Sequence, residues 1–482
     1  MIELESKSRP IWCVIQISSF LYSLLLVPVY AHNTPDRPNI ILIMADDLGW
    51  GDVGFNGNLY IKTPALDEMA KQGIQMNRFY SASAVCSPTR GSALTGRHPE
   101  RYGITHANVG HLKRQEITLA EVLKGQGYRT GHFGKWHLGT LTVKEQDANR
   151  GGPAGAKDYS PPWENGFDVC FSTESKVPTW DPMVTPDASA GDIGKRTPGE
   201  HFGTYYWVGE DQKVSDNLEG DDSRVIMDRV IPFIKDAAEE KTPFFTVVWF
   251  HTPHLPVLAG PEYRALYPEL SEDKQHYFGS ITAMDEQIGR LRETLRELGV
   301  ADDTMIWFCS DNGPEGKEQV NRTQGSAGPF RGRKRSLYEG GVRVPAVLEW
   351  PAKISKGRKT NLPVSTNDYF PTILGILGFE NEDQAHPLDG VNVFPYLADQ
   401  VEKRPNPIFF KFQKQEAIMD NQFKLYSSDE GNTYELYDLI KDPGEREDVS
   451  TSYPDKVSNL SAQLKAWLLS CQESNSGHDY VK

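Results

Sequence analysis

Two pairs of residues with side-chain oxygens, called the acidic pairs, each stand one residue after an apolar run of the sequence. Asp46 and Asp47 follow the run NIILIM, and Asp311 and Asn312 follow the run TMIWFC. Such runs are typical of strands covered on both faces, and side chains at the carboxyl ends of neighbouring parallel strands face one crevice. Three carboxylates and an amide oxygen favour a hard cation, Ca²⁺ before Mg²⁺, over zinc. Either pair alone is more typical of an ordinary turn, so the predicted metal site depends on both.

A cysteine at the predicted start of a helix is the second candidate. Cys86 opens the segment CSPTRG, and Pro88 favours the first turn of a helix that continues through Ala93 and Leu94. The unpaired N–H groups and the dipole at such an end favour negative charge, and Arg90 adds a permanent cation one turn further on. The segment therefore predicts a site for an oxyanion; the alternative is a structural or merely reactive free cysteine.

Strands and helices alternate from residue 37 onward. A further apolar run, FFTVVWF, predicts another buried strand. Helices are predicted over Thr63–Gly73, from a capping box that begins at Thr118, and over Ile281–Leu298, where apolar residues repeat at helical spacing. This alternation predicts an α/β fold, with a large mostly parallel or mixed sheet flanked by helices.

The last part of the sequence differs from the rest. Two short apolar runs, IFFKF and QFKLY, precede a helical stretch near Lys456–Leu469. They predict a smaller C-terminal α+β subdomain, which divides the chain into a catalytic domain at 37–400 and a subdomain at 401–482. Between the predicted elements, Leu141–Glu219 is rich in Gly, Pro and Asp and is typical of a long binding segment.

The N-terminus has the pattern of an export signal. Lys7 and Arg9 precede the mostly apolar Ile11–Tyr30, and Val29 and Ala31 suit the small-residue positions before a cleavage site. We therefore expect residues 1–31 to direct export to the periplasm or the medium, with an uncleaved anchor as the alternative. No stable membrane insertion is expected of the mature protein.

The charge and the cysteine content exclude some classes of protein. The formal net charge of -15 argues against a nucleic-acid partner. Four cysteines follow the export signal, too few and too scattered for a disulfide scaffold, although one disulfide remains possible.

Seven short motifs then occur in a fixed order, and together they identify a family. The chain resembles the formylglycine-dependent (type I, arylsulfatase-like) sulfatases of the alkaline-phosphatase-like superfamily over about residues 37–347, and again at Glu435–Asp448. The motifs that carry the resemblance are Asp46–Asp47, Cys86–Arg90, Gly134–His137, Thr252–His254, Asp311–Asn312, Lys334 and Tyr338–Gly341.

The resemblance implies a modified residue, an ion and a maturation partner. A maturation enzyme would convert Cys86 to formylglycine while the segment is unfolded. One calcium ion would be held by the acidic pairs, with residue 86 completing the shell. The ligands implied are Asp46, Asp47, Cys86, Asp311 and Asn312.

The resemblance also implies roles for the basic residues. Arg90 would stabilise the formylglycine hydrate, and Lys135 and Lys334 would hold the sulfate. His137 would act as a base on the second hydroxyl of the hydrate, and either His254 or Lys334 would protonate the leaving alcohol. Lys334 has basic neighbours on both sides and is chosen because it stands four residues before Tyr338.

We therefore expect a sulfatase that acts on a sulfated polysaccharide or its oligosaccharides. The alternatives are a phosphodiesterase or phosphonate monoester hydrolase of the same superfamily, and a non-catalytic protein that binds sulfated glycans. Two further sets of residues are candidates for sugar contact, and local packing is the alternative for the aromatic set. The basic set is Arg97, Arg101, Lys113, Arg114 and residues 331–335; the aromatic set is Trp163, Trp180, Tyr205, Tyr206 and Trp207.

Overall fold

The computed structural model describes residues 1, 37–379 and 386–480. Apart from Met1, the predicted export signal at 1–31 lies outside the described residues. Within the described ranges, no helix has the length and the apolar character that crossing a membrane requires. The four cysteines in these ranges are buried free thiols.

The strands are named in chain order. They are β1 (Asn39–Ala45), β2 (Ile74–Met76), β3 (Phe79–Tyr80), β4 (Arg129–Lys135), β5 (Val169–Thr173), β6 (Trp207–Gly209), β7 (Gln212–Lys213), β8 (Phe244–Trp249), β9 (Thr304–Ser310), β10 (Arg343–Val344), β11 (Ala346–Glu349), β12 (Arg358–Thr360), β13 (Val364–Ser365), β14 (Ile408–Phe412), β15 (Gln415–Asp420), β16 (Phe423–Ser427) and β17 (Glu435–Asp438).

The helices are named in the same way. They are α1 (Pro64–Gln72), α2 (Cys86–Thr95), α3 (Leu119–Gly125), α4 (Asp222–Glu239), α5 (Pro261–Arg264), α6 (Glu272–Glu297), α7 (Glu339–Val342), α8 (Tyr369–Ile376), α9 (Phe394–Ala398) and α10 (Pro454–Asn475).

The central sheet has the mixed topology that the alternating pattern predicts. Its ten strands lie in the order β12-β2-β11-β9-β1-β8-β4-β5-β6-β7. The middle of the sheet is parallel, since β1 pairs in parallel with both β8 and β9, and β4 pairs in parallel with β8 and β5. The antiparallel pairs lie towards the edges, where β11 meets β9 and β6 meets β5. The carboxyl ends of five neighbouring strands therefore meet at one edge.

Both faces of the sheet are covered, which explains the unbroken apolar runs. Along β1, Ile40 and Leu42 belong to one hydrophobic cluster, while Ile41 and Ile43 belong to another on the opposite face. Helices α2, α3, α8 and α9 pack into the first cluster, and α1, α4 and α6 pack into the second. Successive strand side chains point to opposite faces, so a strand between two helical layers needs apolar residues at every position.

The predicted helices are present, with some differences in extent. Helix α1 matches its prediction, and Thr118 caps α3 through the predicted reciprocal bonds with Glu121. Helix α6 begins at Glu272, nine residues before the predicted start, because its first five residues, Glu272–His276, are polar and precede the apolar repeat. Helix α4 was not predicted; Pro232 lies inside it, which obscured the pattern.

The C-terminal part contains an antiparallel sheet with the order β14-β15-β16-β17. Strands β15 and β17 were not predicted, and the final helix is longer than expected at both ends. One face of this sheet packs on α10 through Leu464 and Trp467. The other face packs against Val85 and Leu337, which precede Cys86 and Tyr338. The small sheet therefore supports two segments of the predicted site. The boundary near residue 400 remains a prediction.

Candidate active site

The two acidic pairs converge as predicted. Strands β1 and β9 are parallel neighbours, and their last residues, Ala45 and Ser310, stand opposite each other. The next residues on each chain are therefore side by side, and all four side chains of the pairs are buried. The Asp47 amide donates to Asp311 Oδ1 at 3.1 Å, and Asn312 Nδ2 donates to Asp47 Oδ1 at 2.7 Å.

Helix α2 brings Cys86 and Arg90 to the same place. Cys86 is its first residue, after an extended Val85, so the predicted position at a helix N-terminus is confirmed. Arg90 NH2 lies 2.7 Å from Asp311 Oδ2 and 3.5 Å from Asp46 Oδ2. The guanidinium is wholly buried, and it ties the helix to the ends of both strands.

Two lysines approach the acidic pairs from opposite sides. Lys135 is the last residue of β4, and its Nζ lies 2.6 Å from Asp46 Oδ2. Lys334 lies in the loop before α7, and its Nζ lies 2.7 Å from Asp47 Oδ1 and 3.3 Å from Glu315 Oε2. The choice of Lys334 over its basic neighbours therefore agrees with the geometry, because its side chain is only 4% exposed and reaches Asp47, whereas the Arg335 side chain is 51% exposed.

Two histidines complete the group. His137 has a left-handed backbone with φ of 57°, and its Nδ1 lies 3.3 Å from Cys86 Sγ. His254 Nε2 lies 3.7 Å from Asp47 Oδ2, while its Nδ1 lies 2.6 Å from the Leu255 carbonyl oxygen. Each histidine therefore faces a different part of the site, one at Cys86 and the other at the acidic pair.

The cations around Asp46 keep this carboxyl in its charged form. Burial opposes ionisation of Asp46, but Lys135, His254, Arg90 and Lys334 overcome it and hold the pKa of that carboxyl well below its usual range. Asp46 is therefore a charged carboxylate that a cation can use.

Burial keeps the cysteine and the two histidines in their neutral forms. Burial raises the pKa of the Cys86 thiol, although Lys135 opposes this. Burial, reinforced by Lys135, lowers the pKa of His137 well below its ordinary value. Burial also lowers the pKa of His254 to about 4, against the attraction of Asp46. Both rings are therefore neutral near pH 7 and can take up protons.

The acidic cluster fits a divalent cation. The ligand atoms of Asp46, Cys86 and Asp311 all lie within 4.8 Å of one another. Asp46 Oδ1 and Asn312 Oδ1 are buried, and neither has a hydrogen-bond partner among the described residues. Buried polar atoms are rarely left without a partner, so these two oxygens favour an ion at this position. An all-oxygen set of carboxylates and an amide suits a hard cation.

A small cavity of about 120 Å³ opens onto Cys86. The predicted residues Lys135, His137, His254 and Lys334 line its inner part. The remaining polar lining residues, called the outer residues, lie in irregular segments. One of them, Arg335, belongs to the basic set that the sequence offered for sugar contact. Sequence reasoning missed His106, Asn108, Asn149, Ser175, Lys176 and Asp192.

Several residues predicted to contact sugars have structural roles instead. Arg97 is buried and lies 3.1 Å from Glu116, and Arg101 is buried and lies 2.7 Å from Asp389. Tyr206 and Trp207 are also buried, so local packing is the correct interpretation for these two aromatics. His251 is held between Asp222 and Thr173, at 2.8 and 2.7 Å, and lies outside the cavity lining.

Known proteins resemble this chain over most of its length. The Sulfatase family model matches residues 38–379, and a model for the C-terminal part of N-sulphoglucosamine sulphohydrolase matches residues 328–474. The N-acetylgalactosamine-6-sulfatase of Homo sapiens is 32% identical over 79% of this chain and 69% of its own length. The steryl-sulfatase of Mus musculus is 30% identical over 84% of this chain and 72% of its own length.

Solved structures agree with the relatives in sequence. The crystal structure of Ps i-CgsB in complex with k-i-k-neocarrahexaose matches with a TM-score of 0.77 and 27% identity. The match covers 92% of this chain and 97% of that one. Since a single family model spans the whole central sheet and the acidic, cysteine and lysine motifs, the chain belongs to the sulfatase family and is a sulfuric ester hydrolase.

Proposed function

We propose that this protein hydrolyses sulfate monoesters on a sulfated polysaccharide or its oligosaccharides, using a formylglycine made from Cys86 and one bound calcium ion. The observation that carries the proposal is the meeting of Asp46, Asp311 and residue 86 within 4.8 Å. Lys135 and Lys334 flank this meeting point, so cations face a group bound beside residue 86 from two sides.

The chemistry depends on what replaces the thiol. Cys86 Sγ occupies the position where the oxygens of a hydrated aldehyde on the same carbon would lie. Such a hydrate would supply two hydroxyls on one carbon, one to attack sulfur and one whose deprotonation expels sulfate. The ion would withdraw charge from the sulfate oxygens and favour ionisation of the attacking hydroxyl. Its ligands would be Asp46, Asp47, Asp311, Asn312 and an oxygen of the residue made from Cys86.

The side chains around residue 86 have distinct tasks. Lys135 and Lys334 hold sulfate oxygens by charge-assisted hydrogen bonds. Arg90 fixes the end of helix α2 against the carboxylates, and so fixes residue 86. His137, neutral and 3.3 Å from residue 86, accepts the proton of the second hydroxyl. Lys334 or His254 gives a proton to the leaving alcohol. His254 would first have to take up a proton, because its ring is neutral in the free protein, and the Lys334→Met substitution separates the two.

The timing of modification follows from burial. Every residue of the segment Cys86–Arg90 is buried. A maturation enzyme has no access to Cys86 in the folded chain, so conversion must precede folding. We expect export to follow, directed by residues 1–31; N-terminal sequencing of protein from the medium or the periplasm tests this.

The outer part of the cavity favours a carbohydrate. Relatives of similar identity, 30% and 32%, include a steryl-sulfatase and an N-acetylgalactosamine-6-sulfatase, so identity alone does not choose between sterol and sugar. The lining includes amide, hydroxyl and charged groups beside its apolar atoms, among them those of Asn149, Ser175 and Lys176. These groups match ring hydroxyls, whereas a sterol needs an apolar wall.

A screen of defined sulfated oligosaccharides, with released sulfate as the readout, tests the proposal. Phosphate monoesters, phosphodiesters and phosphonate monoesters are included, and faster turnover of these would favour the alternative within the superfamily. Mass spectrometry of the Cys86 peptide from a maturation-competent host reports the aldehyde. We expect Cys86→Ser to lose most turnover and still bind substrate. Normal activity in that variant would reject the mechanism.

A further inference from the structure

The ring of His137 bridges two polar groups. Its Nδ1 faces Cys86 Sγ at 3.3 Å, and its Nε2 faces Asn108 Oδ1 at 2.8 Å. Both His137 and Asn108 have left-handed backbones, with φ of 57° and 62°. Asparagine and histidine both adopt this conformation more often than most residues, although it carries some strain for any residue other than glycine. The local fold accepts that strain at both positions, where the two side chains lie against each other.

The contacts of the Asn108 amide indicate which of its atoms faces the ring. Asn149 Nδ2 also approaches Asn108 Oδ1, at 3.3 Å. Two nitrogen atoms thus point at one amide atom, and a carbonyl oxygen with two lone pairs can accept from both. On the other side of the ring, the thiol of Cys86 can donate to a nitrogen that carries a lone pair. Both contacts are satisfied together when the ring proton is on Nε2.

We propose that Asn108 is a positioning residue that keeps the ring proton of His137 on Nε2, so that the Nδ1 lone pair is directed at residue 86. The inference extends the proposed function, because a base at this position must present a free lone pair to the group it deprotonates. Among the contacts of the described residues, Asn108 bonds neither to residue 86 nor to the acidic pairs. Its effect passes through His137.

Histidine-selective ¹⁵N NMR reads the tautomer directly. Two-bond nitrogen–hydrogen couplings separate a ring protonated on Nε2 from one protonated on Nδ1. The His137→Gln variant assigns the signal, and His132, which bonds Ser172 elsewhere in the sheet, is an internal reference. We expect Nε2–H for His137 in the full-length protein. A signal from Nδ1–H would overturn the proposal and would mean that both amides, Asn108 and Asn149, are turned over.

Two substitutions give an independent test by kinetics. Asn108→Asp keeps an acceptor and removes the donor, whereas Asn108→Leu removes both. We expect kcat of Asn108→Leu to fall by about 10- to 100-fold with little change in KM, as for other residues that orient a catalytic side chain. Asn108→Asp should recover most of that loss. Equal losses in the two variants would contradict the proposal, because a carboxylate can only accept.

The NMR measurement needs neither turnover nor a bound ion. If His137 carries its proton on Nε2 while no sulfate ester is hydrolysed, the proposed function fails and the positioning role of Asn108 stands. If sulfate is released but His137 carries its proton on Nδ1, the proposed function stands and the positioning role of Asn108 fails. The tautomer is read in the parent protein, and His137→Gln serves only to assign the signal, so poor folding of an Asn108 variant does not leave the proposal open.

Discussion

Replacing Arg90 by methionine removes the cation that joins helix α2 to the acidic strand ends. The guanidinium lies 2.7 Å from Asp311 and 3.5 Å from Asp46, donates to the Lys135 carbonyl at 3.1 Å, and stacks over Trp249 at 5.3 Å. Methionine keeps an unbranched apolar side chain of similar reach, so the packing against Trp249 is largely retained. The variant therefore isolates the loss of charge and of hydrogen bonds.

The expected cost is about 3 kcal/mol of unfolding free energy. Removing one partner of a buried ion pair costs about 3–5 kcal/mol, because the other charge stays buried. The lower end applies because burial raises the pKa of Asp311 to about 7, so this carboxyl can take up a proton once Arg90 is gone. Arg90→Lys keeps the charge but loses the fork geometry, and should cost less than Arg90→Met.

Urea unfolding in the presence of a chelator measures this cost. The chelator removes any bound metal ion, so that the buried carboxylates have only the cations of the protein itself as partners. A matched control is Arg114→Met, whose side chain is 80% exposed and lies 2.7 Å from Glu164. Such a surface pair is worth at most about 1 kcal/mol. If Arg90→Met costs no more than Arg114→Met, the carboxylates do not depend on Arg90 and the electrostatic account of the site is wrong.

Three other outcomes follow from the structure. Burial lowers the pKa of His98 to about 4, against the attraction of Asp389. The unfolded chain takes up this proton near pH 6.5, whereas the folded chain does so only near pH 4. The free energy of unfolding should therefore fall as the pH drops from 6.5 towards 4, by on the order of 3 kcal/mol. His98→Gln should flatten the dependence of the urea midpoint on pH, and an unchanged slope would contradict this. Adding Ca²⁺ to chelated protein at 100 times its Kd should stabilise it by about 2.7 kcal/mol, and Asn312→Leu should remove much of that gain; an equal gain in the variant would exclude Asn312 as a ligand. If Lys334 protonates the leaving alcohol, Lys334→Met should slow hydrolysis of a sugar sulfate more than that of 4-nitrophenyl sulfate, whose leaving group needs no proton. Equal slowing on both esters would assign the proton to His254 instead.

The inner site was predictable because its residues are tied to regular elements. Asp46 and Asp311 follow strands whose apolar runs are unmistakable, and parallel neighbours place the residues after them side by side. Cys86 opens a helix with a recognisable first turn. Lys135, His137 and Lys334 were assigned by the resemblance to a family, since short charged motifs at a strand end or in a loop carry no local signal of their own.

The outer site was not predictable, for a physical reason. Asn108 and Asn149 lie in segments without periodicity, and their positions depend on packing between distant parts of the chain. The prediction that Arg97 and Arg101 contact sugars was wrong, because in the sequence both look like solvated cations. Partners far along the chain bury both: Arg97 meets Glu116 and Asp479, and Arg101 meets Asp389. No local pattern reports such partners.

The balance of buried charge explains how an acidic chain can bind an anion. Three carboxylates and three cations share the buried centre, and each cation lies within 3 Å of a carboxylate oxygen. Without an added ion the cations are therefore engaged by the acids. A divalent cation among the carboxylates would take over those oxygens and release Lys135 and Lys334 towards the cavity. Affinity for the sulfate group should then depend on Ca²⁺ even in Cys86→Ser, and calorimetric titration of that variant with inorganic sulfate, with and without chelator, tests this. Equal affinity in both conditions would show that the lysines need no such release.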